Sequence, residues 1–202
     1  MTLATHNARQ VLARRPQARR VPVLQTERLT LRAPCRADAR VIAKFAGDRR
    51  IAENTSRIPH PYGIEDAEEY VASINTVDGE TCFAVMRDDR LIGLCNVTPG
   101  KDGAEIGYWV GAPYWGQGIA TEAARAMIDF AFADVGYDML VAGARASNPA
   151  SRRVLEKCGF QWTGVGLYRI RAINSSAPID RFRLDRGLWA SLKAWGRAKE
   201  VA

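Results

Sequence analysis

The chain has 202 residues, 47% hydrophobic and 25% charged, which suits one domain with a sizeable buried core. No apolar stretch is long enough to cross a bilayer and no apolar segment follows Met1, so a cytoplasmic protein without a membrane partner or a secretory leader is expected. The net charge of +7 is concentrated in an acid-free start holding Arg9, Arg14, Arg15, Arg19 and Arg20.

Residues 1–24 therefore read as a basic arm ahead of one domain over 25–202. Such an arm could touch RNA, a ribosome or acidic lipid, or remain a solvated tail. It holds no aromatic residue to stack a base, which argues against a nucleic-acid partner and leaves ribosome contact as the alternative to the solvated tail. Cys35, Cys82, Cys95 and Cys158 form no CxxC pair, and His6 and His60 lie far apart, so no metal is expected. Cys82 and Cys95 sit in apolar runs and read as small hydrophobes.

Order is expected from about Thr26. Arg28–Ala33 alternates polar and apolar residues and reads as a strand. Ala37–Ala46 reads as a helix ending at Gly47, and Ile64–Ile74 as an amphipathic helix with acids in its first turns. Cys82–Arg87 and Leu91–Val97 flank Asp88-Asp89 and predict a hairpin. Ala104–Val110 is a strand, Thr121–Val135 a buried helix, Met139–Ala144 a short strand and Ala150–Lys157 a short helix closed by Gly159. Trp162–Ala172 and Ile179–Asp185 are late strands, and Leu188–Ala198 is a terminal helix. This order predicts an α/β fold with a mixed sheet.

The stretch from Glu105 to Phe132 carries the chemistry. A strand ends at Val110, a loop holds Gly116 and Gly118, and a helix begins between Ile119 and Thr121. Glycines at such a turn let backbone approach an anion, and the first helical N–H groups point at it, so the turn suits a phosphate or pyrophosphate. A dinucleotide fold would place its third small residue at Thr121, but it wants an acid at the end of the next strand, where Gly143-Ala144-Arg145 stands. A plain helix start with packing glycines is the other reading.

The segment YWGQGIATEA, with Trp115, Gly118 and Ala120 on the motif positions, resembles the acyl-CoA-binding motif of GNAT acetyltransferases, in the RimJ/RimL-like branch that acetylates ribosomal-protein N-termini. Trp115 departs from the polar residue of the general motif; an aromatic is usual in that branch. TERLTLRAP at 26–34, PHPYGIEDAEEY at 59–70 and the run from Asn148-Pro149-Ala150-Ser151-Arg152 to Phe160 also match it. The resemblance spans roughly 25–190 and implies a mostly antiparallel sheet, flanked by helices and splayed at a bulge where acetyl-CoA lies. It further implies acetyl transfer to a primary amine, likeliest a protein N-terminus. The alternatives are a small amine (antibiotic, polyamine or amino acid) or an acyl-CoA-binding module without catalysis. A monomer or homodimer is expected.

By the same resemblance, the backbone of Tyr108, Trp109 and Val110 would pair with pantetheine and polarise the thioester carbonyl. Gly116, Gln117, Gly118, Ile119, Ala120 and Thr121 would hold the pyrophosphate, Gln117 adding a side-chain contact. Asn148 would bond the pantetheine arm; the alternative is a helix cap before Pro149. Ser151 would donate to the leaving thiolate, or serve as a second cap, because the tyrosine that many relatives use falls at Leu155. Glu105 is the candidate base, or a surface acid on its strand; a base used elsewhere in the family falls at Gly143. Arg152 would meet the 3′-phosphate of CoA, and His60 or Tyr62 could line the acceptor cleft.

Overall fold

Leu24–Gln25 (β1), Thr30–Arg32 (β2), Thr81–Arg87 (β3), Arg90–Thr98 (β4) and Ala104–Val110 (β5) pair antiparallel in sequence order. The β3–β4 connection is Asp88-Asp89, both with positive φ, as a two-residue hairpin turn with right-handed twist requires. Ala104–Ile106 of β5 runs parallel to Met139–Arg145 (β6). Gln161–Ile170 (β7) and Ser175–Asp185 (β8) form the last hairpin, and β8 inserts between β6 and β7. The result is an eight-stranded sheet in the order β1-β2-β3-β4-β5-β6-β8-β7, antiparallel except at β5–β6. The computed structural model describes residues 21–75 and 79–200; residues 1–20 of the basic arm, and the contacts expected of them, lie outside the described residues.

The helices are Ala39–Ala46 (α1), Arg49–Ala52 (α2), Ile64–Ser73 (α3), Ile119–Asp129 (α4), Pro149–Lys157 (α5) and Arg186–Glu200 (α6). The helix expected over Thr121–Val135 starts two residues earlier and widens into a π turn over Phe130–Val135. The short α2, capped by the Asp48 carboxylate, has no periodic signal in four residues and was not expected. The first strand pair begins at Leu24, ahead of Thr26, and β7 ends at Ile170 rather than Ala172.

Two cores explain why β3 reads as an unbroken apolar run. Phe83 and Val85 face α4 with Met127, Phe132, Leu140 and Phe182, while Cys82 and Ala84 face α1 and α3 with Ile42 and Ala67. Each large side chain so buried contributes roughly 1.5–3 kcal/mol. The helix layers thus hold β3, β4 and β5 rigidly on both faces.

Candidate active site

The site opens where β5 leaves β6. The parallel pairing ends at Ile106–Ala142, while β6 continues along β8 as far as Arg145–Ile179. A gap therefore separates Gly107–Val110 from Gly143–Arg145. The β4–β5 ladder keeps one register from Thr98–Glu105 to Gly93–Val110, so the gap arises by divergence from β6 and not at the bulge that the resemblance implied. Gly111 N–H donates to the Ile92 carbonyl (2.8 Å). Antiparallel alternation then turns Gly107 and Trp109 towards β4, and leaves the backbone N–H and C=O of Tyr108 and Val110 aimed into the gap. The Val110 carbonyl accepts from Trp115 Nε1 (2.6 Å), leaving Tyr108 as the free backbone pair. A cavity of about 1020 Å³ fills the gap and runs out between α3 and the β6–β8–β7 wall.

At one end of the gap stands the glycine loop. Gly116 and Gly118 have φ of +76° and +78°, where any other residue is strained. A side chain at Gly116 would meet nothing within 4 Å, so the loop is open on that side. The first bond of α4 is Glu122 N–H to the Gly118 carbonyl (3.1 Å). Among the described residues, the N–H groups of Ile119, Ala120 and Thr121 have no partner and stand at the positive end of the helix. This is a fit for a pyrophosphate.

Sequence reasoning missed what holds this loop. Glu122 accepts from Thr26 Oγ1 (2.6 Å), Arg28 N–H (2.9 Å) and Arg28 Nε (2.7 Å). Arg28 Nη1 also donates to the Gln117 carbonyl (3.0 Å), and Arg87 Nη1 to Gln117 Oε1 (2.7 Å). The Gln117 side chain is thereby engaged within the protein, and two guanidinium groups stand beside the loop. Burial alone would raise the Glu122 carboxyl; the hydrogen bonds from Thr26 and Arg28 outweigh it and hold the group below its ordinary range. The signal was present as Thr26 and Arg28 in one motif and Glu122 in the other, though nothing in a single sequence joins them.

Across the gap lies the start of α5. Asn148 Oδ1 accepts from Ser151 N–H (3.1 Å), so Asn148 is the helix cap, and its side-chain NH2 remains free to donate. Ser151 takes no part in capping. Its Oγ lies 3.0 Å from the Tyr108 hydroxyl, which also donates to the Ser151 carbonyl at 3.1 Å. Burial pushes the Tyr108 phenol well up, so it stays protonated. Leu155 is fully buried, and a tyrosine hydroxyl nevertheless reaches this place from β5. Arg152 bonds Glu156 (2.9 Å) and Asp180 (3.4 Å), which keeps it on its own helix and β8.

On the acceptor side, Glu105 has its side chain 53% exposed on the cleft face, with Arg57 3.9 Å away. Arg57 also pairs with the nearly buried Glu80 at 2.5 Å, and Glu80 accepts from the Tyr70 hydroxyl (2.5 Å) and Thr98 (3.2 Å). Tyr62 lines the cavity, its phenol raised to about 12 by burial and then by Asp66; His60 is not among the lining residues.

A domain profile described as an acetyltransferase (GNAT) domain matches residues 28–161. The chain belongs to the GNAT acetyltransferase family. This GNAT protein is 31% identical over 150 residues to the N-acetyltransferase p20 of Bacillus licheniformis, covering 70% of this chain and 84% of that one. It is 33% identical over 81 residues to the ribosomal-protein-serine acetyltransferase of Escherichia coli, covering 39% of this chain and 45% of the relative. RimJ of Mycobacterium smegmatis, solved with a CoA disulfide, superposes with a TM-score of 0.70 over 84% of this chain and 90% of that one, at 20% identity. The protein is an acetyl-CoA-dependent N-acetyltransferase. Among the described residues no helix is long and apolar enough to cross a membrane.

Proposed function

We propose that this GNAT enzyme acetylates the N-terminal amine of a protein. Two things support the reading: the match to a ribosomal-protein-serine acetyltransferase, and a cleft that opens widely beyond the gap. Acetyl-CoA supplies the thioester; the remaining requirements fall on the chain's own groups. Gly116 to Thr121 offer backbone N–H to the pyrophosphate, with Arg28 and Arg87 adding positive charge beside them. The Tyr108 N–H is aimed to polarise a carbonyl in the gap, and the Asn148 NH2 to bind the pantetheine arm.

Ser151 donates its hydroxyl proton to the leaving sulfur. Tyr108 orients it: when the phenol proton points at Ser151 Oγ, the serine proton is turned into the gap. The 3.0 Å contact between these two hydroxyls is the observation that carries the catalytic reading. Glu105 accepts the amine proton, directly or through water, from the cleft face of the same strand. Release of CoA thiol, measured with a panel of N-terminal peptides, polyamines, antibiotics and free amino acids, tests the assignment. Peptides are expected to lead. A small amine as the best acceptor overturns the protein N-terminus, and no release with any amine would make the chain an acyl-CoA-binding module.

A further inference from the structure

The two walls of the acceptor cleft carry opposite charge. The acids lining it are Asp66 and Glu69 of α3, Glu80 just before β3, Asp102 between β4 and β5, and Glu105 of β5; Glu80 and Glu105 share Arg57. The opposite wall is the β6–β8–β7 sheet, and it is basic: Arg145, Arg181, Arg183 and Arg171 all line the cavity. Among the described residues none of these four forms an ion pair. Arg171, Arg181 and Arg183 are exposed and none of the four has a carboxylate partner among the described residues, so this wall presents positive charge that an anion in the cleft would balance.

Glycines flank Arg181 on both neighbouring strands. Arg181 of β8 pairs with Gly143 of β6 on one side and Gly164 of β7 on the other, and Gly166 follows two residues on along the same face. A side-chain carbon at Gly164 would stand 3.7 Å from Arg181 Nη2, and one at Gly166 3.7 Å from Arg181 Cδ, so the Arg181 side chain runs alongside these two glycines of β7 at ordinary contact distance. At the inner end of the same face, Arg145 Nη1 donates to the Glu53 carbonyl (2.8 Å). Its Nε is the one buried side-chain polar atom among the described residues without a hydrogen-bond partner.

We infer that the β6–β8–β7 wall is a carboxylate-binding subsite, and that the acceptor is a peptide with acidic side chains just after its N-terminal residue, held by Arg181 with Arg183 and Arg171. This rests on the protein N-terminal reading and narrows it. The acceptor amine enters towards Glu105 and the gap, and the acidic residues that follow lie along the arginine wall, where guanidinium and carboxylate meet in paired hydrogen bonds. A polyamine would be repelled by the same wall.

The test uses full-length enzyme, saturating acetyl-CoA and three peptides of equal length starting with Ser, followed by Glu/Asp, Gln/Asn or Lys, together with spermidine and free glutamate. The acidic peptide is expected to have about a tenfold or greater advantage in kcat/KM over the neutral one, expressed in KM and shrinking with added salt. In Arg181→Ala and Arg183→Ala the ratio of acidic to neutral peptide should fall towards one, while the KM for acetyl-CoA stays at its wild-type value. Arg181→Lys, which keeps the charge but loses the fork, should retain part of the preference. Peptides acetylated without regard to charge, or a ratio unaltered in both alanine variants, would overturn the subsite and leave the N-terminal reading standing. Glutamate turned over in preference to every peptide would keep the arginine wall and remove the N-terminal reading. Spermidine as the best acceptor would remove both.

Discussion

A hydroxyl 3.0 Å from another hydroxyl has two arrangements of protons, and only one of them serves the reaction. If the Tyr108 proton sits on the Ser151 carbonyl, the serine proton is drawn to the phenol oxygen and away from the gap. The raised Tyr108 pKa keeps the phenol neutral, so it directs Ser151 and does not itself give up a proton. Ser151→Ala should lower kcat by about tenfold to a thousandfold with little change in acetyl-CoA affinity. Tyr108→Phe should lower kcat in the same direction, and the double variant should lose little more than the worse single one, because both act on one hydrogen bond. Additive losses, or wild-type kcat in Tyr108→Phe, would separate the tyrosine from the serine. Glu105 is tested apart from this pair. Glu105→Gln should slow turnover about a hundredfold at pH 7 and recover partly at high pH, where free amine is plentiful. A wild-type rate and pH profile in that variant would return Glu105 to the role of a surface acid beside Arg57.

The first strands and the start of α4 form one unit, tied through Glu122. Its folded-state pKa is depressed below the unfolded value of about 4.3, so its stabilising contribution is complete above that value and is lost as pH falls through the folded one. Glu122→Gln should therefore melt a few degrees lower than wild type at pH 7, and the two curves should converge as pH is lowered below about 4. A gap in melting temperature that does not close in acid would mean that packing, not charge, accounts for the loss. The same variant should weaken acetyl-CoA binding, since Arg28 would lose the partner that holds it against the Gln117 carbonyl. This unit also shows how far the elements could be read. The spans of β5, α5 and the Asp88-Asp89 hairpin follow from alternation, a capping Asn before Pro149, and turn chemistry, all of which act within a few residues. Thr26 and Arg28 lie 96 and 94 positions before Glu122, and Arg57, from the loop between α2 and α3, meets Glu80 and Glu105 from the ends of β3 and β5 only in the folded chain. No local rule brings such groups together. The sequence offered Asn148 as a contact to the pantetheine arm or as a helix cap, and the structure gives its oxygen to the cap.

At the scale of the whole molecule, the sheet is held on both faces by helices yet leaves β5 and β6 unpaired beyond Ile106. Backbone groups facing such a gap have lost their strand partners, and a ligand that supplies hydrogen bonds there binds the folded state only. Acetyl-CoA at a hundred times its Kd should thus add about 2.7 kcal/mol to stability. For a domain of this size that corresponds to a rise in Tm of roughly 5–10 °C. Gly118→Asp puts an anion against the loop proposed to hold the pyrophosphate, and it should abolish the rise. The strain at positive φ will lower the variant's own melting temperature, so the quantity that counts is the shift on adding acetyl-CoA, not the starting value. Amide hydrogen exchange locates the effect. Protection should grow at Tyr108 and at Ile119, Ala120 and Thr121, whose N–H groups face the gap or the open helix end. Amides of Gly107 and Trp109, turned towards β4, should change little. Equal protection on both edges of β5 would mean that the ligand tightens the sheet as a whole, and an undiminished shift in Gly118→Asp would move the pyrophosphate away from this loop.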